Sequence, residues 1–179
     1  MTDASNQYGH ALYELAKEEG LLEEVLSQLK VLDDVFTGNP QFVTLLNAPS
    51  VPKAERCRII DDSFRGKLHP YVLNFLKILT EKGDMRHFSG CCKVFRRSYN
   101  DEKGILPVTA VTAAPLSDAL RSKLTDKLSS VTGKTIELDC KIDRACLGGV
   151  RLDFDGKQVD GTVRRRLEDV RNILKNTVL

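Results

Sequence analysis

The segment Thr-Gly-Lys-Thr at 132–135 has the ending of a phosphate-binding loop. Such a loop needs GxxxxGK[ST] between a strand and a helix, so that successive backbone N–H groups cradle the phosphates. Leu128 stands where the first glycine is required, and the residues before Gly133 read as a helix, so no nucleotide is expected there. Gly148-Gly149 lacks the third glycine of a dinucleotide fingerprint and precedes a strand rather than a helix. That pair reads as a bend or a close backbone approach. Five cysteines, Cys57, Cys91, Cys92, Cys140 and Cys146, form no CxxC knuckle. They read as structural thiols of a reducing compartment, the alternative being a zinc site that also draws on His87. His10, His69 and His87 lie on separate helices or caps, without HxxxH or HExxH spacing. No Ser, Cys or Asp falls in a nucleophile motif. No catalytic, cofactor-binding or metal-ligating residue is therefore assigned.

The remaining charged signal is Arg164-Arg165-Arg166. At about 100° per residue, three successive positions spread over about 200° of a helix and make no single basic stripe. Glu168 and Asp169 follow at once. The run reads either as a solvated face with intrahelical ion pairs or as a contact zone for an acidic or helical partner. The formal charge of the 179-residue chain is only +2, which gives no whole-chain argument for a polyanion. No run of about 18 apolar residues occurs, so no membrane span is expected. The first ten residues lack the order of a secretory signal.

These residues need elements to hold them, and the hydrophobic spacing supplies the elements. Tyr8, Ala11, Leu12, Leu15 and Ala16 make one apolar stripe of a first helix. Leu22, Val25, Leu26, Leu29 and Leu32 make a second, and Asn39-Pro40 reads as the cap and first turn of a third. Pro52 and Pro70 open a fourth and a fifth, and Asp84 caps a sixth with Phe88, Cys92, Phe95 and Tyr99 on its stripe. The fifth carries Tyr71, Val72, Leu73, Phe75, Leu76, Ile78 and Leu79 and reads as apolar nearly all round. Such a helix is either central to its bundle or covered by something else. After Gly104 the period changes. Residues 105–115 read as a strand, and Leu116, Leu120, Leu124 and Leu128 as a helix. Ile136, Leu138, Cys140 and Ile142 alternate as a second strand, and Val150, Leu152 and Phe154 as a third. Asp155-Gly156 is a type I′ hairpin signal returning into Lys-Gln-Val-Asp. A last helix carries Val163, Leu167, Val170 and Leu174. The fold class is α+β: an N-terminal six-helix bundle over residues 1–104, then a small α/β domain over 105–179.

The segment LGGVRLDFDGKQVDGTVRRRLEDVR, Leu147–Arg171, resembles the C-terminal signature of the delta subunit of F-type ATP synthase, the oligomycin-sensitivity-conferring protein family. TGKTIELDCKID, YGHALYELA and NFLKILTEKG resemble the family at matching places, and the likeness runs through the chain in order. Two departures stand out. Gly83-Asp84 replaces the family's Gly-Arg, with Arg86 two residues on, and Thr162 replaces its serine.

The resemblance implies a non-catalytic stator subunit, one copy per synthase and without cofactors. It would link the alpha/beta head to the b subunits so that rotation is coupled to ATP synthesis. It implies a groove between the first and fifth helices that takes the N-terminal helix of an alpha subunit, with Tyr8, Ala11, Leu12, Leu15, Leu73, Leu76, Lys77 and Ile78 as lining candidates. The second domain would meet the C-terminal helices of the b subunits through Arg165, Arg166 and Leu174. Gly148, Gly149, Asp155, Gly156, Asp160 and Gly161 would serve turns, Asp160 as N-cap of the last helix. The expected location is the cytoplasmic face of the bacterial inner membrane, reached only through partners and without nucleic acid. An RNA- or ribosome-associated helical adaptor using the arginine run is the alternative, with an enzyme of dispersed residues third.

Overall fold

The computed structural model describes residues 3–165 and residue 167. The chain divides into two compact units, Met1–Asn100 and Asp101–Leu179. The protein is helix-rich, with a small four-stranded sheet in its C-terminal part.

The first unit holds α1 (Asp3–Glu18), α2 (Leu22–Gly38), α3 (Pro40–Asn47), α4 (Lys53–Phe64), α5 (Pro70–Lys82) and α6 (Phe88–Lys103), whose last turn passes the division. Proline opens α3 and α5, where its fixed φ suits the first turn and its missing N–H is no loss. Two sequence-based cap assignments change. The Asn39 amide donates back to Val35 O at 2.9 Å, closing α2 rather than opening α3. Asp84 makes no side-chain cap, because a 3-10 turn at Met85–His87 stands between it and α6. The core gathers Leu12, Ala16, Val25, Leu29, Leu32, Phe36, Leu46, Ile60, Val72, Leu76, Phe88 and Phe95. Phe36 meets Phe88 edge-on at 4.9 Å between centroids, and Tyr13 meets Phe95 at 5.7 Å. Helices α1 and α6 approach closely: a Cβ on Gly9 would lie 2.7 Å from Cys91 O, and one on Gly90 would lie 2.5 Å from Ser5 Oγ. Only glycine lets two helix backbones come this near.

The second unit holds β1 (Ile105–Thr112), α7 (Asp118–Thr132), β2 (Thr135–Ile142), β3 (Val150–Phe154) and β4 (Lys157–Asp160). The strand order is β2-β1-β3-β4, with β1/β2 parallel and the other two pairs antiparallel. The register aligns Leu106 with Ile136, Val108 with Leu138 and Ala110 with Leu152, so one face is apolar. Leu116, Leu124 and Leu128 pack on that face. Leu120, expected on the same stripe, is 55% exposed. The opposite face carries Glu137, Asp139, Lys141, Arg151 and Asp153 along its strands. At the β2 edge the Leu138 carbonyl accepts from Arg121 Nη2 at 2.7 Å, which occupies an edge group that could otherwise pair with another strand.

Candidate functional site

The groups that could do chemistry are placed to do little of it. Gly133 takes φ 67 at the end of α7 and donates to Ser129 O, so Thr132–Thr135 is a helix stop followed by a strand. It is no cradle for phosphate. All five cysteines are free thiols. Burial pushes Cys91 up to about 11 and Cys92 higher still, and it raises Cys57 with help from the Glu81 carboxylate. Such thiols stay protonated and unreactive at neutral pH. Among the described residues, no three His, Cys, Asp or Glu side chains converge as metal ligands. His69 accepts from Tyr71 N at the start of α5, which gives it a capping task.

The surfaces on α1 and α5 are of a different kind. A hydrogen bond between Tyr71 and Glu19 joins the end of α1 to the start of α5, and the carboxylate pushes the Tyr71 phenol up. It places Glu19, just past α1, beside Tyr71 in the first turn of α5. Glu19 N donates to Leu15 O, continuing the helical ladder of α1. Counting from Glu19 at about 100° per residue, Tyr8, Leu15 and Ala11 fall within about 80° of it around the axis. Leu15 is 37% exposed, Ala11 is exposed and Tyr8 is half-buried. On α5, Ile78 lies about 20° and Asn74 about 60° from Tyr71 by the same count. Ile78 is 46% exposed, and Asn74 is also open to solvent.

The other candidates from the sequence sit elsewhere. Leu76 is fully buried and Leu12 is 5% exposed, so both belong to the unit's own core and offer no surface. Leu73 is half-buried, about 140° round the helix from Ile78. Lys77 lies on that same flank, where its Nζ meets Asp61 Oδ1 of α4 at 2.7 Å. Lys77 therefore marks the α4 side of α5. The fifth helix is also less apolar outside than its composition suggests, because Val72, Phe75, Leu76 and Leu79 all point inward. The sequence reading did not single out Glu19, or Tyr71 and Asn74 of α5, for this surface. An aromatic residue one position inside the helix start was the available signal, but its partner was not readable.

In the second unit the glycine-rich segment is built around a backbone crossing. Gly149 has φ 80, and a Cβ there would lie 2.6 Å from Gly161 O and 3.0 Å from Thr162 Cα. The crossing is tied by Gly161 N to Val150 O and Val163 N to Gly148 O, each at 3.0 Å. Asp155 and Gly156 take φ 49 and 70, both positive as a type I′ turn requires. Asp160 does not cap the last helix. Its Oδ1 accepts from Thr162 N at 2.9 Å, while Thr162 Oγ1 accepts from Arg165 N at 3.3 Å, so Thr162 fills the N-cap role. The Thr162 amide and hydroxyl both hold the Asp160 carboxyl below its usual range. Thr162 is buried, whereas Arg165 and Val163 are exposed. Arg166 and Leu174, expected at a partner contact, lie outside the described residues.

A family model for the ATP synthase delta (OSCP) subunit matches residues 4–174. The protein named ATP synthase subunit delta of Clostridium kluyveri is 30% identical over 168 residues, covering 94% of this chain and 93% of that one. That of Clostridioides difficile is 27% identical over 175 residues, covering 97% of both. In fold, the chain resembles one from the cryo-EM structure of the Toxoplasma gondii mitochondrial ATP synthase hexamer, with a TM-score of 0.76 at 20% identity over 97% of this chain and 98% of that one.

Proposed function

This chain belongs to the ATP synthase delta (OSCP) subunit family, and from that premise we infer how its two units divide the work of a stator. It is a non-catalytic subunit of the peripheral stalk and associates with the synthase head and stalk as a peripheral component of the membrane-bound complex. No described helix is long and apolar enough to cross a membrane. The stator must resist the torque on the head, so it needs two interfaces in series, and the weaker one sets where it slips.

The helical unit serves as a six-helix bundle that takes the N-terminal helix of an alpha subunit between α1 and α5. The single observation carrying this reading is the Glu19–Tyr71 contact. Exposed Leu15 and Ala11 of α1 and exposed Ile78 of α5 lie on the flanks that carry these two residues, which supports the reading. An amphipathic helix reads such a surface through anchors at i, i+3, i+4 and i+7. The lining is Tyr8, Ala11, Leu15, Tyr71, Asn74 and Ile78, and Leu12 and Leu76 support it from inside the core. A helix of ordinary interface size buries about 800 Å2 on each partner, and interfaces of that size range from micromolar to picomolar affinity without a covalent tie. The sheet unit faces the C-terminal helices of the b subunits, with Arg165 on that surface. One copy serves each synthase, at the cytoplasmic face of a bacterial inner membrane.

Calorimetric titration of the intact chain with a synthetic alpha-subunit N-terminal peptide tests this. Micromolar or tighter binding is expected, lost in a folded Ile78→Asp protein. Undiminished binding by that variant would remove the α1/α5 surface from the interface.

A further inference from the structure

We propose that the outer edge of β2 receives an extended segment of a partner polypeptide, which adds to the sheet as an antiparallel fifth strand. The inference goes beyond the stator reading and does not depend on it. The ladder defines the edge. Thr135 N donates to Gly104 O at 2.9 Å and Asp143 N to Thr112 O at 2.8 Å, at the two ends of the parallel β1/β2 register. Residues 135, 137, 139, 141 and 143 therefore turn their backbone groups toward β1, and Ile136, Leu138, Cys140 and Ile142 turn theirs outward. The Leu138 carbonyl agrees with this parity, since it accepts from Arg121 Nη2 of α7 at 2.7 Å.

Sheets ordinarily blunt such an edge with a short strand, a proline or a bulge. The opposite edge is β4, only four residues long. By contrast β2 runs eight residues without proline, and its register with β1 is unbroken. Arg121 occupies one carbonyl. Among the described residues, the outward N–H and C=O of Cys140 and Ile142 make no hydrogen bond. Ile142 is 58% exposed and stands outside the apolar cluster that Leu116, Leu124 and Leu128 cover. The open half of the edge is thus Cys140–Ile142, with an uncovered apolar side chain at its end.

The side chains of β2 select the occupant. Glu137, Asp139 and Lys141 are exposed on the face turned away from α7, and none of the three is in an ion pair among the described residues. Other charges along this stretch are engaged. Lys134 meets Asp101 at 4.0 Å, Asp143 accepts from Ala145 N, and Arg151 meets Asp153 at 3.5 Å two strands away. Arg121 stands on the α7 side. An antiparallel strand beside β2 places one side chain opposite each exposed charge, at the closer, non-hydrogen-bonded positions. Basic residues suit Glu137 and Asp139, an acidic one suits Lys141, and apolar residues between them fall on the side of Ile142. The occupant is an extended segment that alternates apolar and charged residues and carries a net positive charge.

Amide NMR of the intact chain tests the edge, with a capped peptide, Val-Glu-Val-Lys-Val-Lys, as probe. Its valines fall opposite Ile142, Cys140 and Leu138. The Cys140 and Ile142 amide signals should shift saturably and their hydrogen exchange should slow. A copy N-methylated at the valines, whose N–H groups face β2 in this register, should do neither. The charge-swapped Val-Lys-Val-Glu-Val-Glu should bind more weakly. Cys140→Pro removes an outward N–H but no β1/β2 bond, and should weaken binding about tenfold. Arg121→Gln frees the Leu138 carbonyl and should tighten binding about fivefold, the gain of one ladder hydrogen bond. If Cys140→Pro disturbs the sheet amides, Arg121→Gln and the exposed Glu137→Lys carry the test, the latter weakening binding about threefold. No saturable shift, an equal response to the N-methylated or charge-swapped peptide, or unchanged affinity in the folded variants overturns the proposal. So does concentration-dependent pairing of two copies of the chain through β2. The alpha-peptide titration reads the other unit, so a failure here with that binding intact sinks the edge proposal alone.

Discussion

Gly149 and Gly156 allow the backbone-crossing argument to be tested with one substitution at two places. Both have positive φ, 80 and 70, so alanine meets a similar left-handed strain at each. That strain costs about 1–2 kcal/mol. Their surroundings differ: nothing lies within 4 Å of a Cβ on Gly156, while one on Gly149 meets Gly161 O at 2.6 Å. The second contact is with backbone and cannot be relieved by a rotamer. The Gly161–Thr162 segment must move, which weakens the Gly161 N–Val150 O and Val163 N–Gly148 O bonds. At about 1 kcal/mol each, those two bonds bring Gly149→Ala to about 3–4 kcal/mol against about 1–2 for Gly156→Ala. In a unit of this size each kcal/mol moves the midpoint by about 4–8 °C. Thermal unfolding followed by hydrogen exchange at the sheet amides separates the two units. Equal losses for the two variants would refute the reasoning that Gly149 is required by contact rather than by φ alone.

Other consequences follow from burial and titration. Leu76→Ala, at a fully buried position, should cost about 2–5 kcal/mol in denaturant unfolding, whereas Ile78→Ala, at a half-open one, should stay within about 1 kcal/mol. The depressed Asp160 carboxyl stabilises the fold above its unfolded value near pH 4, and that contribution fades as pH falls through the lower folded value. Asp160→Asn should therefore flatten the acid limb of the sheet unit's melting profile and lower stability at neutral pH. With Cys91 raised to about 11 by burial and Cys92 higher, iodoacetamide at pH 8 should leave both unlabelled in the native chain and label them on unfolding, as read by peptide mass spectrometry.

The sheet unit was legible because its signals are local. Alternation at Ile136, Leu138 and Cys140 gives the buried face of β2, and Asp155-Gly156 gives the turn and its φ values. The bounds of β4 follow from the turn alone. Local signals fail where the deciding contact is distant in the chain. Glu19 reaches Tyr71 across 52 positions of the chain, and no periodicity encodes that pairing. With apolar residues at most positions of α5, composition could not separate Leu76, which faces the core, from Ile78, which faces out. The cap of the last helix was misplaced by two residues. Asp160 and Thr162 both have capping chemistry, and only the backbone crossing at Gly149 decides between them.

The central claim is that a partner helix lies along α1 and α5. Amide chemical-shift mapping of the intact chain with the alpha-subunit N-terminal peptide tests it most directly. The account predicts that the perturbed amides cluster at Ala11, Leu15, Asn74 and Ile78, and that Ile78→Asp weakens binding about 100-fold, because a carboxylate would replace an apolar anchor in the contact. Perturbations centred on exposed Val31 and Val35 of α2, with the α1/α5 amides unmoved, would contradict it.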